Sequence, residues 1–128
     1  MRIAISCSGQ TVDDLLDPRF GRAEFFLIVD LDSHAVRVAQ NPASSYGGGA
    51  GIAAAQAIVK ERVKALITGQ LGPNALNVLS DAGIELYQGT GGSAASNIEA
   101  FRQNRLPRIS QSGPSNAGRG PGNRGNRL

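Results

Sequence analysis

Apolar and polar positions change period several times along this chain, and each change marks a new element. Residues 2–6 alternate around Ile3 and Ile5, as a short strand does. Phe25-Phe26-Leu27-Ile28-Val29 is an unbroken apolar run of strand formers, too short for a helix, so it reads as a central strand. Leu31-Asp32-Ser33-His34 is a turn, and Ala35 to Gln40 alternates again around Val36 and Val38, which completes a hairpin. From Ile52 to Glu61 the spacing of Ile52, Ala55 and Val59 becomes helical. Ala65-Leu66-Ile67-Thr68 is a fourth strand and Ile84 to Tyr87 a fifth. Between them Pro73 and Gly83 bracket a helix with Leu76 and Leu79 on its buried stripe. A last helix runs from near Ser93 to about Gln103 and buries Ile98 and Phe101.

The order β-β-β-α-β-α-β-α predicts a mixed α/β sheet in the order 3-2-1-4-5, with antiparallel hairpins followed by right-handed parallel crossovers. Strands 1, 3, 4 and 5 then end at one edge. Three glycine clusters fall there: Gly47-Gly48-Gly49-Ala50-Gly51, Gly69-Gln70-Leu71-Gly72-Pro73 and Gly89-Thr90-Gly91-Gly92-Ser93. Each precedes a helix, whose first N–H groups attract negative charge, and glycine lets a ligand approach the backbone. Ligands of open α/β sheets favour this edge. Together the clusters predict a cradle for an anion.

Composition narrows the class. A chain of 128 residues suits one domain, and it holds no apolar run long enough to span a membrane. The start lacks a secretory apolar stretch, so a cytoplasmic location is expected. The lone cysteine, Cys7, allows no internal disulfide, in keeping with a reducing compartment. The formal charge is +3, yet residues 107–128 carry Arg108, Arg119, Arg124 and Arg127 with no acid, so residues 1–106 are close to neutral. From Pro107 the composition falls mostly to Gly, Ser, Asn, Pro and Arg. Residues 107–128 are therefore expected to be a disordered tail, dispensable for the folding of a domain spanning 1–106.

Few side chains at the edge could do chemistry. In Asp17-Pro18-Arg19-Phe20-Gly21-Arg22, Arg19 and Arg22 offer forked donors to an anion, or else are solvated while Phe20 plugs the core. Cys7 ends strand 1 and is either a small buried residue or a thiolate ligand to a metal, which it could not hold alone. His34, the sole histidine, falls in the turn at the opposite end of the sheet. Asp13, Asp14, Asp30 and Asp32 do not converge over the central strand as a two-metal nuclease requires. No nucleophilic set forms either, since the histidine is remote from Cys7. There is no GxGxxG after strand 1 and no GxxxxGK[ST]. Binding without catalysis is the expectation.

Pro18-Arg19-Phe20-Gly21-Arg22, Asn41-Pro42 with the first glycine cluster, Gly69 with Gly72-Pro73-Asn74-Ala75, and Ala82-Gly83-Ile84 with Tyr87 and Gly89 come in an order that carries a resemblance. Over residues 1–106 the chain resembles the dinitrogenase iron–molybdenum cofactor biosynthesis family, of the NifX/NifB C-terminal-domain type. The resemblance implies a ribonuclease H-like three-layer fold and a small non-enzymatic carrier of an iron–sulfur or iron–molybdenum type cluster or its precursor. Such cargo is anionic. The expected cofactor-binding residues are Arg19, Arg22, Gly47, Gly48, Gly49, Gly69, Gly72, Asn74, Gly89 and Gly91, with Cys7 as the metal ligand. Expected partners are the cluster and cluster-assembly or acceptor proteins, together with a homodimer in which two Cys7 thiolates share one cluster, and no membrane. The alternative is a nucleic-acid-associated adaptor working through the Arg/Gly tail.

Overall fold

The computed structural model describes residues 1–43 and 49–109. Its strands are β1 (Arg2–Cys7), β2 (Phe25–Asp30), β3 (Val36–Gln40), β4 (Ala65–Thr68) and β5 (Glu85–Gln88). The helices are α1 (Ala50–Lys60), α2 (Pro73–Asp81) and α3 (Ala94–Arg102), with a one-turn 3₁₀ helix at Phe20–Arg22 that the periodicity did not predict. The sheet runs β3-β2-β1-β4-β5, the order expected. β1 pairs antiparallel with β2 and parallel with β4, β2 pairs antiparallel with β3, and β4 pairs parallel with β5.

Two cores explain the layers. One face of the sheet sends Ala4, Phe26, Ile28, Leu66 and Leu86 against Ala54, Ala55 and Ile58 of α1 and Ala75, Leu76 and Leu79 of α2. The other sends Ile3, Ile5, Cys7, Leu27, Val29 and Ile67 against Ala94 and Ile98 of α3. Alternation along β1 and β2 divides them between the two, as a sheet covered on both sides requires. Phe20 is buried against Phe26, ring centroids 5.3 Å apart. It anchors the loop after β1 to the α1/α2 core.

Register fixes the functional edge. Cys7 stands beside Phe25, and Phe25 beside Gln40, so β1 and β3 end level with one another. β4 and β5 run parallel to β1 and end on the same side. The β2–β3 turn, with exposed His34 at φ 67°, lies at the opposite end, near Arg2.

The folded chain extends beyond residue 106. Pro107, Arg108 and Ile109, expected in the tail, run antiparallel along the outer edge of β5. Gln88 N–H donates to the Pro107 carbonyl at 2.8 Å and Ile109 N–H to the Leu86 carbonyl at 2.8 Å. The Arg108 guanidinium lies over Tyr87, 5.3 Å from the ring centroid, and Tyr87 meets Phe101 edge-on at 5.0 Å. Composition hid this because the segment holds one apolar residue, Ile109, and its backbone supplies most of the contact. Residues 110–128 lie outside the described residues.

A chain ended at Leu106 loses both hydrogen bonds, the Arg108–Tyr87 contact and the packing of Ile109. It should be about 2–4 kcal/mol less stable than a chain ended at Ile109. Urea denaturation of the two truncated forms measures the difference, and equal midpoints would refute a packed 107–109 segment.

Candidate functional site

The loop from Ser8 to Arg22 builds the edge, and a buried polar junction fixes it. Ser6 Oγ donates to the Asp17 carbonyl at 2.7 Å and lies 2.7 Å from Thr68 Oγ1, while Asp17 N–H donates to the Ser6 carbonyl. Ser6 and Thr68 are fully buried, so these bonds satisfy hydroxyls that would otherwise be desolvated without a partner. The junction holds the ends of β1 and β4 to the loop. Immediately after it, Gln70 N–H donates to the Pro18 carbonyl at 2.6 Å.

That path occupies the third glycine cluster. The loop carbonyls of Asp14 and Val12 accept from Ala94 and Ala95 N–H at 2.8 and 2.7 Å, and Ser93 Oγ accepts from Ser96 N–H. The start of α3 therefore spends its first amides on the protein's own loop. Leu16 N–H donates to the Gly92 carbonyl, and Asn97, fully buried, binds Thr90 N–H at 2.7 Å and the Ser93 carbonyl at 2.9 Å. A Cβ on Gly89 would stand 2.4 Å from Leu16 Cδ1. Gly89 is thus small because its surroundings are full. Gly91 has open space but belongs to this occupied end.

Gly69 is likewise a packing residue, since a Cβ there would fall 2.5 Å from the Pro18 carbonyl oxygen. Gly72 and Asn74 are exposed, and a Cβ on Gly72 would meet nothing within 4 Å. Gly49 takes φ 74° as the N-cap of α1, and an added Cβ there would likewise meet no described atom within 4 Å. Gly47 and Gly48 lie outside the described residues.

What remains is the pair α1 and α2. Their starts touch: a Cβ on Gly51 would lie 3.5 Å from the Ala75 Cβ. Gly21, in the 3₁₀ turn, packs on the same first turn of α1, where its added Cβ would be 3.1 Å from Gly51 N. Among the described residues, neither helix has a side-chain cap from its N-cap residue or an acidic residue in its first turn. Helix geometry leaves the early N–H groups of both without intrahelical partners, and their dipoles add at one place.

Arg19 and Arg22 flank this surface, both exposed. Arg19 is committed in part. Its Nε and one terminal nitrogen each donate to Asp17 at 3.2 Å, and its backbone N–H donates to the same carboxylate at 2.9 Å. The Asp17 side chain is 7% exposed and that of Arg19 65%, so the carboxylate is sunk while the guanidinium stays accessible. Hydrogen bonding to Asp17 and its negative charge raise the Arg19 pKa. The pair is neutral as a unit, with the outer N–H groups of the fork turned from Asp17 and able to donate.

Cys7 is not presented to this surface. It is 0% exposed, packed with Ile5 and Leu16, and its Sγ lies 3.7 Å from the Thr11 carbonyl. Burial pushes its thiol pKa up, and the charges of Asp14 and Asp17 push the same way. As placed, it is a buried thiol, because β1 turns its last side chain into the α3 core. Among the described residues no group of three or more His, Cys, Asp or Glu side chains could hold a metal ion. No helix among them is long and apolar enough to cross a membrane.

Comparison with known proteins follows the whole fold. The family model described as dinitrogenase iron–molybdenum cofactor matches residues 1–104. The apo form of the orange protein from Desulfovibrio gigas superposes with a TM-score of 0.83 at 35% identity, covering 88% of this chain and 95% of that one. A putative NifB protein from Thermotoga gives 0.77 at 31% identity, over 90% and 98%. An uncharacterised protein of Methanocaldococcus jannaschii is 30% identical over 97 residues, 73% of this chain and 82% of its own length.

Two measurements check the site geometry. Gly69→Ala must displace the Pro18 backbone and should lower stability by about 1–3 kcal/mol, whereas Gly72→Ala should change it by less than about 0.5 kcal/mol. Thermal denaturation compares them, and equal effects would contradict the assignment of Gly69 to packing. Alkylation of Cys7 by iodoacetamide at pH 8 should be at least about a hundredfold slower in the native protein than in denaturant. Comparable rates would show that the thiol is exposed.

Proposed function

The chain belongs to the dinitrogenase iron–molybdenum cofactor family, a family of non-catalytic metallocluster carriers, and from that premise we propose that it carries an anionic iron–sulfur or iron–molybdenum type cluster, or a precursor, on the surface where α1 and α2 begin. One observation carries the reading. Two helix N-termini without side-chain caps or first-turn acids lie in contact beside the Arg19–Arg22 loop. Each N-terminus concentrates about half a positive charge, and a polyanion bridging both gains from each.

The binding is outer-sphere. Backbone N–H groups near Gly49, Gly72 and Asn74, the outer donors of Arg19, and Arg22 would hydrogen-bond the cargo's sulfide or oxide ligands. Buried Cys7 would take no part, and Gly69, Gly89 and Gly91 would shape the edge instead of touching the cluster. Among the described residues, the clefts at β3 and at the far ends of α1 and α2 lie away from this surface. A surface that holds its cargo by hydrogen bonds suits cargo that must be handed to an assembly or acceptor protein, since no coordinate bond has to break on release.

The nucleic-acid reading gains nothing from the described residues. Of the arginines behind it, Arg108 lies over Tyr87, and Arg119, Arg124 and Arg127 are outside the described segments.

Three variants test the proposal by anaerobic reconstitution with iron, sulfide and molybdate, followed by desalting and metal analysis. Arg19→Ala with Arg22→Ala should reduce retained metal at least about tenfold, since two charge-assisted contacts are lost. Asn74→Asp should have opposite effects on two readouts: it stabilises α2 by about 0.3–1 kcal/mol through the helix dipole, yet weakens cargo retention by repulsion. His34→Ala, at the far end, should load like the parent. Loss of loading in His34→Ala alongside normal loading in the arginine variant would remove this surface as the site.

A further inference from the structure

The two edges of the sheet are finished differently. At β5 the chain covers its own edge, because Gln88 N–H and the Leu86 carbonyl are taken by Pro107 and Ile109. At β3, the other end of the sheet order, no described strand pairs with the outer side. Asp30 N–H donates to the Ala35 carbonyl and Asn41 N–H to the Glu24 carbonyl. With the β2–β3 register, this parity turns the backbone groups of Arg37 and Ala39 toward β2. The backbone groups of Val36, Val38 and Gln40 then face outward.

Open edges are usually guarded by charge, a bulge or proline. β3 has neither a bulge nor a proline. Its single charged side chain, Arg37, is tied back to Glu61 at the end of α1. On the opposite face Val36 and Val38 are 44% and 37% exposed, beyond the cover of α3. Val36 also lines clefts on both sides of the strand, one beside Arg2 and Asp30 and one beside His34, Ile98 and Glu99.

We infer that the β3 edge is the interface to a second copy of this chain, paired antiparallel about a two-fold axis at Val38. The strand is its own complement in this register. Val38 opposes Val38 of the second copy, Val36 opposes Gln40, and Arg37 opposes Ala39, so no like charges stand directly across the axis. Each outward N–H and carbonyl of Val36, Val38 and Gln40 finds a partner. Association stops at two, because the covered β5 edge leaves no second open strand. The axis is perpendicular to the sheet, so the α1/α2 layers share one face while the two carboxyl edges point in opposite directions. Each copy therefore keeps a complete anion surface, and a cluster shared between two Cys7 thiolates has no place in this dimer.

Sedimentation equilibrium of the full chain from about 1 to 500 µM tests the inference. The expected result is a reversible monomer–dimer equilibrium without larger species. Val38→Pro removes an outward N–H and no bond to β2, and should weaken dimerisation at least about tenfold with the circular dichroism spectrum retained. Should that variant fail to fold, Val38→Lys changes only an exposed side chain, sets two cations against each other and decides the matter. Hydrogen exchange gives a separate readout: amides of Val36, Val38 and Gln40 should slow as concentration rises, while those of Arg37 and Ala39 stay constant. A monomer over the whole range, a dimer indifferent to the foldable variants, or open-ended assemblies would each overturn the inference.

Discussion

The buried contact between Ser6, Thr68 and the Asp17 backbone is the constraint on which the rest of the edge depends. It lies where two parallel strands, β1 and β4, end side by side. Parallel strand ends leave polar groups that must be satisfied inside the protein, and here the long loop after β1 satisfies them. Once Asp17 is pinned, Pro18 must lie on Gly69, Phe20 must enter the α1/α2 core, and Arg19 must emerge beside the α2 start. The same loop, held earlier at Leu16, closes over the start of α3.

Division of labour among the glycines follows from that path. Gly69 and Gly89 let protein approach protein, and a methyl group at either would collide with the loop. Gly49 and Gly72 stand at the starts of α1 and α2, where an added Cβ would meet no described atom within 4 Å. Three similar sequence clusters thus serve two physical purposes. In the proposed function, the distinction narrows a broad cradle to the two adjoining helices and leaves α3 outside it.

Charge is arranged with similar economy. Arg19 retains outward donors, yet its pairing with the sunken Asp17 carboxylate cancels its net charge. In the proposed site, attraction for an anion would then come chiefly from the helix dipoles, and the Arg19 fork would contribute direction. An anion held as proposed, by hydrogen bonds and helix dipoles alone, would be able to leave. Cys7, which could have made a stronger bond, is withdrawn into the α3 core, where burial raises its thiol pKa. A carrier that must release its cargo gains from both features.

The sequence by itself determined the element order, the strand order and the convergence of the loops on one edge. Each follows from local periodicity, short connections and the handedness of crossovers, all of which act over neighbouring residues. Residues 18–22, 69–75 and 82–89 carried the family as well. Only the tertiary structure decided which glycines face solvent, that Cys7 is buried, that Arg19 is paired with Asp17, and that Pro107–Ile109 line β5. These facts depend on contacts between segments far apart in the chain, such as Leu16 with Gly92 and Pro18 with Gly69 and Gln70. A side chain's position at the end of a strand is a local property. Whether the space before it is empty or already filled by another part of the chain is not.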